Sequence, residues 1–308
     1  MNPADVRLDH LGFPIPPTFP GAMPPDATPP KLGRGVFTIR VLLVVVAVFA
    51  GAMALVRAEL VDPFGKTVAE WLASHADLKY DSDDLDGAER DLDRALAWSD
   101  RSPAIFALRG QVRLEKGNLQ GSLADFNKLV GLIPNSSQAY VLRSAALQRL
   151  ERHDDAIRDM SQAVSLRRST DPRLLNGRAY TRAIAGKELA EALEDIKEAL
   201  AIEGENSHYL DTQGYIRFLQ GDCEAALVDL NKALDLADTG APWRALFVDN
   251  DPVRQRIFAR RRRMRDHDLA VMFHHRGQIY EKLGDSIKAA ADLQQGDELG
   301  YNPAAGVY

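Results

Sequence analysis

Cysteine is almost absent from this chain of 308 residues, in which Cys223 is the only one. A single thiol excludes an intrachain disulfide framework and a thiolate metal cluster. Cys223 opens an amphipathic helical segment, so a passive packing role is expected for it. The net charge of −6 is small for a chain with 27% charged residues, and it gives no overall bias toward nucleic acid.

The sequence also lacks the motifs of common catalytic sites. It has no glycine-rich phosphate loop, no His-Glu-x-x-His and no Gly-x-Ser-x-Gly. His274 and His275 are adjacent, but neighbouring helical residues point about 100° apart, and no third ligand follows at a suitable spacing. We therefore predict no metal, no cofactor and no enzymatic activity. An enzyme with an unrecognised site between the insertion and the groove described below is kept as a third hypothesis.

Proline is scarce outside residues 1–35, which hold nine of the sixteen prolines. Because proline lacks an amide donor and fixes φ, neither helix nor sheet propagates through such a stretch. Residues 1–35 are therefore predicted to be a disordered or polyproline-like arm.

One long uncharged run follows this arm. Val41–Val56 contains no charged residue, and residues 36–57 are long enough to cross a bilayer if Arg40 extends to the headgroups. We predict a single transmembrane helix at 36–57. A cleaved signal peptide is the alternative, indicated by Ala52-Met53-Ala54, but about forty residues precede the run, which is longer than a usual leader.

The orientation follows from the flanking charges. Lys31, Arg34 and Arg40 precede the uncharged run, and Arg57 and Lys66 follow it closely. This small excess favours a cytoplasmic N-terminus. The expected localisation is a single-pass membrane protein whose large domain lies outside the cytoplasm.

Beyond the connector at 58–68, one helical pattern recurs. In Gly221–Leu236 the apolar residues fall on one helical face, and the small residue of that face recurs at intervals of 34, 34, 36, 34 and 63. Its equivalents are Ala88, Ser122, Ala156, Ala192, Ala226 and Ala289. The preceding helices also carry a small residue each: Ala76, Gly110, Ser144, Ala179, Gly214 and Gly277. Small residues at both places are what a close crossing of two helices requires.

Helical hairpins with a 34-residue period resemble the tetratricopeptide-repeat family. The resemblance implies an all-α, right-handed superhelical solenoid of about six hairpins, five at 69–240 and the sixth at 270–303. Helix-hairpin repeats of another length are the alternative. An insertion at 241–269 separates the last two hairpins, and a tail at 304–308 ends the chain. Tyr301, just before this tail, is expected to pack on the last hairpin.

The resemblance also implies a concave groove, lined by the first helix of each hairpin, that binds a peptide. The family's groove positions fall here on Gln111, Leu114, Asn176, Tyr180, His208, Asp211, Tyr215, Phe218, His274 and Gln278. Tyr180 and Tyr215 are the expected anchors, because tyrosine combines a large contact area with a polar tip. The predicted function is therefore a membrane-anchored scaffold for a peptide or protein partner. The partner's identity and the oligomeric state stay open.

A charge pattern accompanies the repeats. Each second helix carries an aspartate three residues after its small residue, namely Asp91, Asp125, Asp159, Asp195, Asp229 and Asp292. Each first helix carries a polar residue immediately before its small residue, namely His75, Arg109, Arg143, Arg178, Gln213 and Arg276. Because residues one repeat apart lie on successive hairpins, these carboxylates do not form one catalytic array. We hypothesise instead that the arginines pair with aspartates of a neighbouring hairpin and fix the stacking.

The insertion is strongly basic. Between 254 and 268 it has seven arginines and two aspartates. The arginines are Arg254, Arg256, Arg260, Arg261, Arg262, Arg263 and Arg265. Either they are a solvated helix face that meets acidic hairpins, or they bind an acidic partner or anionic lipid. Nucleic acid is the least favoured ligand, because Phe258 alone is interleaved with the arginines, which is little for base stacking. The helix either runs unbroken through 252–283 or restarts at Asp268.

Overall fold

The computed structural model of the chain describes residues 46, 48–49, 62–167, 170–239 and 252–302. The predicted arm at 1–35 and tail at 304–308 lie outside these ranges, as does nearly all of the predicted span at 36–57. The chain divides into two units, Met1–Ala58 and Glu59–Tyr308. In the first unit, Val46, Val48 and Phe49 are helical and exposed. None of the described helices combines the length and apolar character that crossing a bilayer requires.

The second unit is all-helical within its described residues, with twelve helices and no strand. They form six antiparallel hairpins, each packing on the next. Their bounds are α1 Asp62–Asp81, α2 Leu85–Trp98, α3 Pro103–Glu115, α4 Leu119–Leu132, α5 Ser137–Arg149, α6 His153–Leu166, α7 Pro172–Ile184, α8 Leu189–Glu203, α9 Ser207–Gln220, α10 Cys223–Thr239, α11 Pro252–Leu283 and α12 Ser286–Glu298. The odd-numbered helices are the first helices of the hairpins.

Short polar side chains start many of these helices. The side chain of Asp84 accepts a hydrogen bond from the Gly87 amide, and those of Asn118 and Asp285 do the same at α4 and α12. Such caps satisfy amides that have no partner inside the helix. The turns within hairpins need a left-handed residue, and Gly221 supplies it at φ 92°. Glu151 occupies the same kind of turn at φ 57°, so this geometry is kept where glycine is missing.

The core is a row of small clusters along the hairpins. Phe126, at 0% exposure, is central to one of them, with Leu123, Leu129 and Ala146 buried around it. The small residues lie where helices cross: a Cβ added to Gly110 would come within 2.4 Å of the Phe126 ring. The predicted role of the small residues as close helix contacts is confirmed there.

The described part of the arginine-rich segment is continuous with the last hairpin. α11 runs unbroken for 32 residues, so it does not restart at Asp268. Its C-terminal half packs on α10 and α12, and α11 also approaches α1. Arg263 of α11 lies 3.7 Å from Asp83, in the turn after α1. This helix therefore connects the last hairpin with the first.

Candidate functional site

The repeated arginines and aspartates do pair, but in a different register from the hypothesis. Arg143 donates from Nε and Nη2 to the two carboxylate oxygens of Asp159, both at 2.7 Å. Asp159 belongs to the same hairpin as Arg143, so the prediction of pairing with a neighbouring hairpin is wrong for the main contact. In an antiparallel hairpin, residues 16 apart face each other across the two helices. The third nitrogen, Nη1, reaches Asn127 of the preceding hairpin at 3.2 Å.

The aspartates of these pairs are buried, whereas the sequence alone does not distinguish them from aspartates on an exposed helix face. Asp91, Asp125 and Asp159 are 3%, 2% and 6% exposed. A lysine or arginine four residues after the repeated polar residue adds to several pairs: Lys79 contacts Asp91 at 2.6 Å, and Arg113 contacts Asp125 at 2.8 Å. Sequence reasoning missed this second row. Pairs of this kind hold the two helices of a hairpin in register and leave the carboxylates unavailable for chemistry.

Four of the predicted groove residues come together at one place. A cavity of about 120 Å³ is lined by Tyr180, Tyr215, His274 and Gln278. These residues come from α7, α9 and α11, the first helices of three successive hairpins. Its other lining residues are Ile184, Val271, His275, Tyr301 and Asn302.

Stacked rings build the walls of this cavity. Tyr215 stacks on His275 with ring centroids 4.1 Å apart, and it lies 6.5 Å from Tyr180. His275 Nδ1 lies 2.9 Å from Asp211 Oδ1, and both side chains are 4% exposed. Asp211 is therefore placed beneath the cavity wall, where it orients His275. Burial, with a smaller contribution from the Asp211 carboxylate, raises the pKa of Tyr215.

The remaining predicted groove residues lie elsewhere. Phe218 extends the aromatic wall, 6.4 Å from Tyr215 and with the Lys282 ammonium 5.0 Å from its ring centroid. His208 faces Asp268 at 3.9 Å, so it does not reach the cavity. Gln111 is half-buried on α3, and Leu114 packs into the cluster around Phe126.

Asn176 is half-buried on α7. Its Oδ1 atom is buried and has no hydrogen-bond partner in the described part of the chain. A buried amide oxygen left in this state is uncommon in folded proteins. Asn176 therefore has an acceptor that the rest of the described chain does not use.

The described arginines of the basic segment contact acidic side chains of this chain. Arg265 is 2.6 Å from Asp266, Arg262 is 3.4 Å from the same carboxylate, and Arg263 pairs with Asp83. These contacts agree with a helix face that meets acidic residues. The side chains of Arg254, Arg256, Arg260 and Arg261, also on α11, lie outside the described part.

A larger depression lies between α6 and α7. It measures about 590 Å³ and is lined by Leu166, Arg167, Thr170, Asp171, Pro172, Arg173 and Glu203. Arg173 pairs with Asp171 at 3.1 Å, and Glu203 accepts a hydrogen bond of 2.5 Å from the Tyr209 hydroxyl. Arg173 and Asp171 thus satisfy each other at an open surface, and the smaller aromatic cavity is the better candidate site.

Sequence reasoning missed part of the aromatic site. His275 was considered only as a metal ligand, and Tyr301 only as a cover for the last hairpin. Tyr301 does pack there, stacked on His274 with centroids 3.8 Å apart. The two histidines have separate partners, and the described residues contain no group of three potential metal ligands. The sequence gives no signal for the contact of His275 with Asp211. The two residues are 64 apart, and the insertion between their hairpins hides this spacing from the 34-residue period.

Comparison with known proteins gives two kinds of similarity. The family model "Tetratricopeptide repeat" matches residues 137–170 and 270–299. No curated protein sequence matches the chain.

Solved structures share the fold at low identity. A tetratricopeptide repeat protein from Parabacteroides merdae is similar with a TM-score of 0.61 and 18% identity, over 82% of this chain and 85% of that one. A chain of the APC/C hetero-tetramer Cut9–Hcn1 is similar with a TM-score of 0.56 and 13% identity, over 82% of this chain and 44% of that one. The family model thus matches two of the six hairpins, and the solved structures show that the helical array shares a tetratricopeptide-repeat fold.

Proposed function

We propose that this protein is a scaffold that binds a peptide or protein segment in the concave groove formed by its first helices. The observation that carries the proposal is the aromatic cavity between α7, α9 and α11. Tyr215 is half-buried in the cavity wall, whereas Tyr180 is only 6% exposed, so Tyr215 is the tyrosine that can contact a partner directly. A rigidly held tyrosine of this kind is a typical anchor of protein interfaces. A binding role also suits the fold, because neighbouring hairpins hold each groove residue in place.

A photoreactive amino acid at Gln278 tests this proposal. Gln278 lines the cavity and is half-buried. The matched control carries the same group at Val228, which is 66% exposed on α10, a second helix. We expect the Gln278 variant to crosslink in native membranes to one defined peptide segment, identified by mass spectrometry, and the Val228 variant not to do so. Identical products from both positions, or none from Gln278, would contradict a groove-bound partner.

We further propose that segment 36–57 holds the scaffold at a membrane, with the N-terminus cytoplasmic and the helical array on the other side. The uncharged run supports this, together with the excess of basic residues before it. The proposal is testable by thiol labelling, because the sole natural cysteine is buried. We expect Ala22→Cys to be protected from an impermeant reagent in intact cells and Asp100→Cys to be labelled. The reverse pattern would show the opposite orientation, and release of the protein by carbonate would refute the anchor.

The alternative, an electrostatic binder that works through the arginines of α11, has less support. Arg262, Arg263 and Arg265 all contact carboxylates of this chain. The observations therefore favour the groove. A partner that binds through these arginines would show affinity falling steeply with salt.

A further inference from the structure

The end of the described chain turns back into the aromatic cavity. After α12, Gly300 takes a left-handed conformation at φ 86°, which a residue with a Cβ rarely adopts. The Tyr301 amide then donates to the Gly296 carbonyl at 2.9 Å. This turn carries Tyr301 away from α12 and onto α11, where its ring stacks on His274 at an angle of 12°.

Tyr301 and Asn302 are the lining residues of the cavity that do not belong to a first helix. The remaining space of about 120 Å³ adjoins the Tyr301 ring and is bounded by Tyr180, Tyr215 and Gln278. It equals the volume of about four water molecules. The site is therefore larger than its present occupant and opens next to it.

The surroundings of Tyr301 favour an uncharged aromatic group. Burial raises the pKa of the Tyr301 hydroxyl, and the nearby Tyr215 adds to this effect. Burial lowers the pKa of His274, and the adjacent His275 lowers it further. The carboxylates of Asp297 and Glu281 act in the opposite direction on His274 but do not outweigh its burial. Both stacked rings therefore favour the neutral form, and a charged side chain in the same position would lose hydration.

We propose that the cavity is a subsite for a tyrosine side chain, that Tyr301 is its resident occupant, and that a partner peptide enters by displacing Tyr301 with an aromatic residue of its own. This inference rests on the proposed groove function and names both the partner's anchor and the segment that competes with it. The stack on His274 and the left-handed turn at Gly300 position the occupant. The half-buried ring and the adjoining space make its exchange feasible.

The test uses the chain's own segment as a probe. A labelled peptide of residues 297–304, Asp-Glu-Leu-Gly-Tyr-Asn-Pro-Ala, contains one tyrosine. Its binding is measured by fluorescence anisotropy to the full chain in detergent, to Tyr301→Ala and to Tyr301→Phe. A tethered occupant competes at an effective concentration in the millimolar range, so we expect Tyr301→Ala to bind the peptide at least about 10-fold more tightly than the unmodified chain. Tyr301→Phe keeps the ring and should behave like the unmodified chain.

Two controls separate a displaceable occupant from a structural cap. A peptide with alanine in place of its tyrosine should not bind Tyr301→Ala. Gly300→Val disfavours the left-handed turn while it keeps the Tyr301 ring, so it should also open the subsite. Equal peptide binding by the unmodified chain, Tyr301→Ala and Gly300→Val would overturn the inference. So would the loss of α11 and α12 in both variants, measured by circular dichroism and hydrogen exchange, because Tyr301 would then be a cap.

The outcomes also distinguish this inference from the groove function. If a partner crosslinks at Gln278 and its affinity is the same for Tyr301→Ala, the groove function stands and the displacement of Tyr301 is refuted. If the peptide binds Tyr301→Ala as expected and no partner crosslinks at Gln278, the subsite stands and the groove function fails.

Discussion

At the scale of single residues, Asp229 differs from the other repeated aspartates of the second helices, called the ladder aspartates below. The repeated polar position before it holds Gln213, where four other hairpins have arginine and the first has His75, so its cation is Arg217 at 2.6 Å. Burial raises the pKa of Asp229, and Arg217 offsets this only in part. A raised pKa means that this carboxyl favours folding below its ordinary pKa, and that the benefit is lost as pH rises and the group ionises.

The sequence holds a reason for this exception. Arg109 and Arg143 also reach the preceding hairpin, at Asp93 and Asn127, each two residues after the ladder aspartate. The residue at the corresponding position before Gln213 is Lys197. An arginine at 213 would meet a like charge there, so glutamine is the compatible choice.

We predict that Gln213→Arg and Lys197→Asn stabilise the fold only in combination. The double variant should gain about 1 kcal/mol in free energy of unfolding at pH 7, the typical net value of a hydrogen bond, whereas Gln213→Arg alone should gain much less. Urea unfolding of both single variants and the double variant gives the coupling energy. The gain should shrink as pH falls and Asp229 becomes protonated, because the new ion pair needs the carboxylate. Gln220→Arg, at an exposed position, is the control for a general effect of added charge. Additive effects of Gln213→Arg and Lys197→Asn would contradict the explanation.

At the scale of elements, the distance between paired helices depends on small residues. A Cβ at Gly110 would lie 2.4 Å from the Phe126 ring, which is fully buried. Gly131, on α4, is different, because a Cβ added there would meet no other atom within 4 Å. The two glycines therefore have opposite roles although both lie within helices.

Alanine substitutions should separate these roles. Gly110→Ala is expected to destabilise the fold by about 1–3 kcal/mol because it overpacks the core. Gly131→Ala is expected to stabilise it by about 0.5–1 kcal/mol because alanine loses less backbone entropy in a helix. Both values come from urea unfolding monitored by circular dichroism. Similar effects of the two changes would mean that α3 and α4 do not cross closely at Gly110.

At the scale of the whole molecule, α11 connects the two ends of the helical array. Its C-terminal half belongs to the last hairpin, and Arg263 in its N-terminal half contacts the turn after α1. Both side chains of that ion pair are more than half exposed, at 56% and 67%, so the pair itself contributes little stability. The continuity of the helix is what positions the contact.

Breaking α11 should therefore release the contact with the first hairpin. Met264 is 56% exposed, so Met264→Pro removes little packing and costs about 3 kcal/mol of helix stability. We expect amides 252–263 to lose protection from hydrogen exchange, while those of 268–302 keep it. Met264→Ala is the control and should leave both groups unchanged. Loss of protection throughout α11 and α12 would show that the last hairpin depends on the whole helix.

Sequence periodicity determined the helical hairpins, because a helix packed between neighbours needs small residues such as Gly110 and Ala226 at fixed intervals. The resemblance to tetratricopeptide repeats pointed to Tyr180, Tyr215, His274 and Gln278 as groove residues, and these four line one cavity. The tertiary structure decided the partners. Arg143 pairs within its own hairpin because antiparallel geometry brings residues 16 apart together, and His275 meets Asp211 across the insertion. It also decided the place of Tyr301, which depends on the left-handed turn at Gly300 and on a cavity that exists only once three hairpins have stacked.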